Sequence, residues 1–293
     1  MHQPLRFLLA GAVALACAQL HASDADDRGW TRPEQPFRIY GDSWYVGTHG
    51  LSAILITSPQ GHVLIDATMP ENAKLVEQNI RALGFRVEDI KAILNSHAHF
   101  DHAGAIAALA AASGAPVYAS RDGADELKVG GDYAEDPQNG EAPHYPKVAK
   151  VNVVPDGGTV KVGALVVTAH YTPGHTPGAT TWTWRSCEKD RCLDVVYADS
   201  ITAFTNGVYR YSDPAHPERV SGFRKTFDTV AALPCDVLIT THPDMSDFLA
   251  RAAAHRAGKQ PDPMLDRNAC KALAQSSVLK FEAKLKEERA AKP

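Results

Sequence analysis

The sequence predicts a mixed α/β chain folded as a four-layer αββα sandwich, two β-sheets face to face with helices covering both outer surfaces. Three observations predict it. Short apolar runs bounded by Gly, Pro, Asn and Asp recur from Trp44 to Thr240, and helical patterns separate them in both halves. The two halves share that grammar although no residue repeat relates them. The chain is 293 residues long and 44% hydrophobic, enough to bury a core between two sheets and beneath their helices.

Residues 1–22 stand outside that fold. Arg6 supplies a positive start, and Phe7 to Leu15 form an apolar stretch too short to span a bilayer. This is the pattern of an export signal cleaved after Ala22, and it implies a periplasmic or secreted protein. A cut before Cys17, giving a lipoprotein, is the competing reading; Ala14 and Leu15 match it poorly. Residues 23–293 are expected to form a single domain.

Within that domain, Trp44 to Gly47, Leu51 to Thr57 and His62 to Asp66 read as an antiparallel meander, with Pro59-Gln60-Gly61 as a turn. Thr68 is expected to cap a helix with Pro70 in its first turn, Leu75, Ile80 and Leu83 on one face, and Gly84 as its stop. Val87 to Leu94 returns to strand, Gly104 to Ser113 reads as an Ala-rich helix closed by Gly114, and Pro116 to Ala119 as a short strand. Residues 130–146, rich in Gly, Pro and Asp, are the one long irregular stretch, and such a length marks a rim or lid. The second half offers strands at Val151 to Val154, Thr159 to Val162, Leu165 to His170, Thr180 to Trp184, Leu193 to Tyr197 and Val237 to Thr240. Pro217 to Leu233 and Ala269 to Glu288 read as its helices.

Charge and cysteine usage narrow the function classes. The net charge of -4 provides no cationic surface for nucleic acid, and the charged tail from Lys271 to Lys292 mixes both signs as a solvated helix face does. No stable membrane insertion and no protein partner is implied. Once the signal is removed, four cysteines remain in an oxidising compartment. Cys187 and Cys192 bracket the charged tip of a hairpin, which favours their pairing and leaves Cys235 for Cys270 among the three arrangements open to four cysteines. A Cys-based zinc site is weakly supported, because no C-x-x-C occurs.

The chemistry concentrates in Asn95-Ser96-His97-Ala98-His99-Phe100-Asp101-His102, directly after the apolar run Ile90 to Leu94. His97 and His99 are two apart, so an extended backbone points both rings the same way. Imidazole nitrogens with one carboxylate oxygen suit zinc better than iron or manganese. Two further histidines follow strands: His175 in Thr172-Pro173-Gly174-His175-Thr176-Pro177-Gly178, and His242 in Thr240-Thr241-His242-Pro243. Loops from the two halves can therefore meet over one cleft.

In this order, H-A-H-F-D-H, then P-G-H-T-P-G, then T-H-P, the chain resembles the metallo-β-lactamase superfamily, and specifically class B, subclass 3, over nearly the whole mature length. The resemblance implies two Zn2+ per chain, the first held by His97, His99 and His175 and the second by Asp101, His102 and His242. It also implies hydrolysis of the β-lactam amide of penicillins, cephalosporins and carbapenems by a zinc-bound hydroxide, with Asp101 orienting that nucleophile. Ser200 and Thr202 would bind the substrate carboxylate. In Tyr197-Ala198-Asp199-Ser200, subclass 3 members carry the Ser, subclass 1 a Cys, and many other hydrolases of the superfamily a bridging Asp. A one-residue slip would make Asp199 that bridge and the chain a lactonase or a glyoxalase II-like thioester hydrolase. Tyr133, Tyr145 and Phe204 are candidates to line the cleft, and Asp66 to back a metal-bound histidine. A non-catalytic zinc-binding protein is a third reading, disfavoured because such proteins use flexible His-rich tracts. Ser186-x-x-Lys189 and Ser277-x-x-Lys280 match a serine β-lactamase motif only by spacing, since its companion motifs are absent.

Overall fold

A computed structural model of the chain describes residues 28–291. The expected export signal lies outside the described residues. Among those described, no helix is long and apolar enough to cross a membrane.

The first sheet holds seven strands in sequence order: β1 (Phe37–Tyr40), β2 (Ser43–Tyr45), β3 (Ile54–Ile56), β4 (His62–Ile65), β5 (Ile90–Leu94), β6 (Val117–Ala119) and β7 (Val151–Val153). Its first four strands pair antiparallel and its last four parallel. The second sheet is ordered β12 (Val237–Thr240), β11 (Arg191–Ala198), β10 (Thr180–Glu188), β9 (Leu165–Tyr171) and β8 (Thr159–Val162). Only its β11–β12 pair is parallel.

Alternation along the strands builds three apolar layers. Ile54, Ile56, Val63 and Ile65 point between the sheets and meet Val167, Trp182, Trp184, Val195 and Ile239 from the other side. Their neighbours Leu55, Leu64 and Ile93 point outward, beneath helices α1 (Ala73–Ala82), α3 (Ile106–Ser113) and α4 (Arg121–Val129), where Val76, Ile80, Leu109 and Leu127 cover them. On the opposite face Val196 and Leu238 pack under α5 (Pro217–Ala232) and α7 (Ala269–Ala290), against Phe223, Phe227 and Phe281. The expected αββα sandwich is therefore the observed one.

Several local expectations need correction. Val151–Val153 joins the first sheet beside β6, where its parallel register is open, rather than the second. Thr68 caps nothing: its hydroxyl is buried with no partner among the described residues, and a short 3-10 turn at Pro70–Asn72 starts the helix instead. β1, α4 and α6 (Phe248–Arg256) had no periodicity strong enough to mark them. The cysteines pair as favoured, Cys187 with Cys192 across β10–β11 and Cys235 with Cys270 at the start of α7.

The two halves are tied at the edge where the histidines lie. Trp182 donates its indole N–H to the Asn95 carbonyl at 3.1 Å, and Ser52 Oγ–H donates to the Thr240 carbonyl at 2.7 Å. Tyr197 OH reaches Asp66 Oδ2 at 2.8 Å. Asp66, buried at a left-handed φ of 58°, also accepts from Ser96 N at 2.8 Å and Asn95 Nδ2 at 3.1 Å. It therefore fixes the loop leaving β5, and among the described residues it is hydrogen-bonded to no histidine.

Candidate metal centre

The loop after β5 carries His97 and His99, and the four-residue helix α2 (Phe100–Ala103) carries Asp101 and His102. The chain must turn tightly here, and Gly104 permits it: a Cβ would lie 2.3 Å from both the Phe100 oxygen and Pro70 Cδ. His175 sits in the β9–β10 loop, where Gly174 adopts φ 146° against the ring of Phe223. His242 follows β12 directly. All six residues named from the sequence meet at one edge of the sandwich, and most are buried.

Nitrogen and oxygen atoms of His97, His99 and His175 come within 4.8 Å of one another, and those of His97, Asp101 and His102 do likewise. His97 and His175 stand ring to ring at 4.8 Å, His99 and His175 at 4.9 Å. The other grouping is tighter. Asp101 Oδ2 lies 3.2 Å from His102 Nε2 and 3.4 Å from His242 Nε2, and the two nitrogens are 3.2 Å apart. Bonds of about 2.0–2.1 Å in a tetrahedron around zinc hold donor atoms about 3.3–3.4 Å apart, so this triangle has the edge lengths of a zinc face. A shared proton can serve one edge of it; a cation serves all three.

The remote nitrogens show how the rings are held. His97 Nδ1 meets Asp199 Oδ1 at 2.6 Å, while its Nε2 is buried with no partner among the described residues. His99 Nε2 contacts both Asp136 oxygens, the nearer at 3.1 Å, and its Nδ1 lies 3.5 Å from Gln138 Nε2. His175 Nδ1 donates to the Thr202 carbonyl at 2.9 Å. A histidine anchored through one nitrogen presents the other as a fixed lone pair, the usual arrangement behind a metal ligand. The unpartnered His97 Nε2 and the acceptor triangle fit a metal ion.

Electrostatics agree with that fit. Burial and the neighbouring imidazoles push His97 well below its usual range, and burial with His99 lowers His175 to about 3. Burial and His102 take His242 to about 4, so these rings stay neutral and keep their lone pairs. Burial works against a charged His99, but the Asp136 carboxylate outweighs it and lifts the group to about 9. For Asp101 burial favours the neutral acid, yet His102 and His242 hold it well below the carboxylate range. Burial and Asp66 raise Asp199 well above that range.

The remaining expectations divide. Asp199 lies behind His97 rather than among the clustered donors, which removes the geometry of a bridging carboxylate. Ser200 and Thr202 both border a cleft of about 710 Å³ over the histidines, with Ser200 Oγ 2.9 Å from Thr241 Oγ1. Phe204 borders it too. Tyr145 does not, because it is buried beneath the first sheet's helices, and Tyr133 instead donates to Asp122 at 3.3 Å. Sequence reasoning missed Asp136, although it lies in the irregular 130–146 stretch, and Glu126 behind it, fully buried and raised to about 8 by burial and Asp136. It also missed Trp30, whose ring lies 5.4 Å from His242 and which precedes every recognisable strand. Only a strongly aromatic residue in an otherwise polar leader could have pointed to it.

Known proteins place the arrangement. The family model described as metallo-beta-lactamase superfamily matches residues 46–242. Among solved structures, MEM-A1, a subclass B3 metallo-beta-lactamase from a soil metagenome library, is 48% identical, with a TM-score of 0.86 over 90% of this chain and 100% of its own. Rm3 metallo-beta-lactamase is 45% identical, with a TM-score of 0.86 over 89% of this chain and 97% of its own. Metallo-beta-lactamase SMB-1, solved with 2-mercaptoethanesulfonate bound, is 46% identical, with a TM-score of 0.84 over 88% and 99%.

Proposed function

The chain belongs to the metallo-β-lactamase superfamily, and from that premise we propose that it is a subclass B3 hydrolase that binds two Zn2+ and opens the β-lactam amide of penicillins, cephalosporins and carbapenems. The observation that carries this reading is the donor triangle of Asp101, His102 and His242 beside the partnerless Nε2 of His97.

His97, His99 and His175 would hold one ion, and Asp101, His102 and His242 the other. Zinc there supplies Lewis acidity toward the lactam carbonyl and its leaving nitrogen, and brings the pKa of water down to about 7. The chain's own groups do the positioning. Asp101, held ionised, can accept a hydrogen bond from the attacking water and orient it. Asp199, Asp136 and the Thr202 carbonyl fix which nitrogen each first-set histidine presents. The hydroxyls of Ser200 and Thr202 would take the carboxylate on the lactam's fused ring. Trp30, Phe204 and Leu249 give the cleft apolar walls that exclude water around the substituents. No covalent acyl-enzyme is needed.

The apolar segment from Phe7 to Leu15 and the two disulfides support export to the periplasm, where lactam hydrolysis would confer antibiotic resistance. Mass measurement of the protein recovered from a periplasmic fraction should give a chain beginning at Ser23.

The function is tested by assaying purified chain on a chromogenic cephalosporin and a carbapenem, with and without a zinc chelator. Turnover of both, abolished by the chelator, is expected. Absent turnover with zinc bound refutes the activity, and chelator-insensitive turnover refutes the mechanism.

A further inference from the structure

Arg28, Trp30 and Arg32 form one wall of the cleft, and nothing in the lactam-opening reading uses the two charges. The segment is pinned: Gly50 N–H donates to the Gly29 carbonyl, His49 N–H to the Arg32 carbonyl and Asn72 Nδ2 to the Trp30 carbonyl, each at 2.9 Å. Trp30 packs against Phe100, ring centroids 6.0 Å apart, and against His242 at 5.4 Å. The Arg28 guanidinium lies 5.0 Å from the Trp30 ring centroid, so stacking restricts it over that wall. Arg28 and Arg32 both border the cleft and are exposed, and no carboxylate among the described residues pairs with either.

Position decides what these cations can meet. The carboxylate on the fused ring has hydroxyl partners in Ser200 and Thr202, and Thr202 adjoins His175 of the first ligand set. The arginine wall adjoins His242 of the second set, at the other end of the row. Asp244 and Asp247 also border the cleft, on the segment after His242, and they repel an anion from their own wall. An anionic substituent is therefore steered to the arginines. We propose that Arg28 and Arg32 form an anion-recognising wall that favours β-lactams bearing a second anionic group over those bearing the ring carboxylate alone.

This inference rests on the lactam-opening reading, and its test separates the two. Benzylpenicillin and carbenicillin differ by one carboxylate on the side chain. The ratio of their kcat/KM values is measured for the purified zinc-loaded chain and for Arg28→Gln/Arg32→Gln. Guanidinium–carboxylate contacts open to water give about 0.5 kcal/mol each, so the carbenicillin-to-benzylpenicillin ratio should fall about five-fold in the double variant. The fall should lie in KM, and the parent chain's ratio should itself fall between low and high salt. An unchanged ratio, equal losses on both substrates, or a salt-independent parent ratio overturns the inference while leaving lactam hydrolysis standing. If the zinc-loaded parent opens neither penicillin, the lactam reading fails and this inference falls with it. Should the double variant melt early, the two single variants carry the same test, each expected to shift the ratio about two-fold.

Discussion

The two donor groupings proposed as ligand sets at the sheet edge are built differently. In the first, every histidine is gripped from behind by a different part of the chain: His97 by Asp199 after β11, His99 by Asp136 in the irregular loop, His175 by the Thr202 carbonyl. In the second, His242 has a backbone hydrogen bond with Gly50, and the donors otherwise face one another. Asp101, His102 and His242 crowd within 3.4 Å, and His102 Nδ1 has no partner among the described residues. Support from outside fixes tautomer and ring orientation before an ion arrives, whereas mutual crowding is relieved only by the ion. The first set should therefore bind zinc more tightly, and it should be the one that distant carboxylates tune.

The largest test of that contrast is ligand removal. His175→Ala should lower kcat/KM for a carbapenem by about a thousandfold or more and cost one zinc per chain, read by elemental analysis. His242→Ala should cost the other zinc with a smaller loss of rate. If both variants lose both ions, the two sets are one cooperative unit and the contrast fails.

Removing support from behind should act next most strongly. Asp199→Asn should weaken zinc at the first set by about 10–100-fold, measured by competition with a chromophoric chelator, and leave the second set near its original affinity. Equal weakening of both would contradict the assignment of Asp199 to His97 alone.

Proton release sharpens the comparison further. His99 at about 9 is protonated at pH 7, while His242 at about 4 is already neutral. Zinc must displace the extra proton of His99 to use its lone pair, so first-set affinity should fall about tenfold per unit as pH drops below 9. The second set must release a proton as well, because burial of His102 is outweighed by Asp101, which raises that group, so its affinity should also fall as pH drops. Calorimetry in two buffers of different ionisation enthalpy counts the protons: about one for the first ion, and fewer in Asp136→Asn. Release of none from the parent chain would sink this account of His99.

The smallest effect is expected at Ser200, outside both sets. Ser200→Ala should raise KM by about two- to ten-fold through a lost hydrogen bond to the substrate carboxylate, with zinc staying near two per chain. Loss of the second ion in that variant would give Ser200 a role in metal binding instead.

What the sequence made legible follows the same division. The clustered histidines and Asp101 stand in short segments after apolar runs, so local spacing revealed them, and strand alternation revealed the sandwich. The groups behind the ligands come from remote segments whose own sequence is unremarked: Asp136 is one acidic residue in a polar loop, and Asp199 stood out only as a rival to its neighbour Ser200. The contact of Asp199 with His97 spans 102 positions, which no local pattern encodes. Trp30 and the two arginines escaped for the same reason, being brought to His242 by backbone hydrogen bonds to the 48–50 turn. Thr68 misled because a good capping residue was read without knowing that its backbone is left-handed, φ 64°.

The most direct measurement is a stepwise zinc titration of the chelator-stripped chain, following bound metal and carbapenem hydrolysis together. Saturation at two ions per chain, with hydrolysis absent from the stripped protein and restored by zinc, is the predicted result. Saturation at one ion, or hydrolysis that persists in the stripped chain, would contradict it.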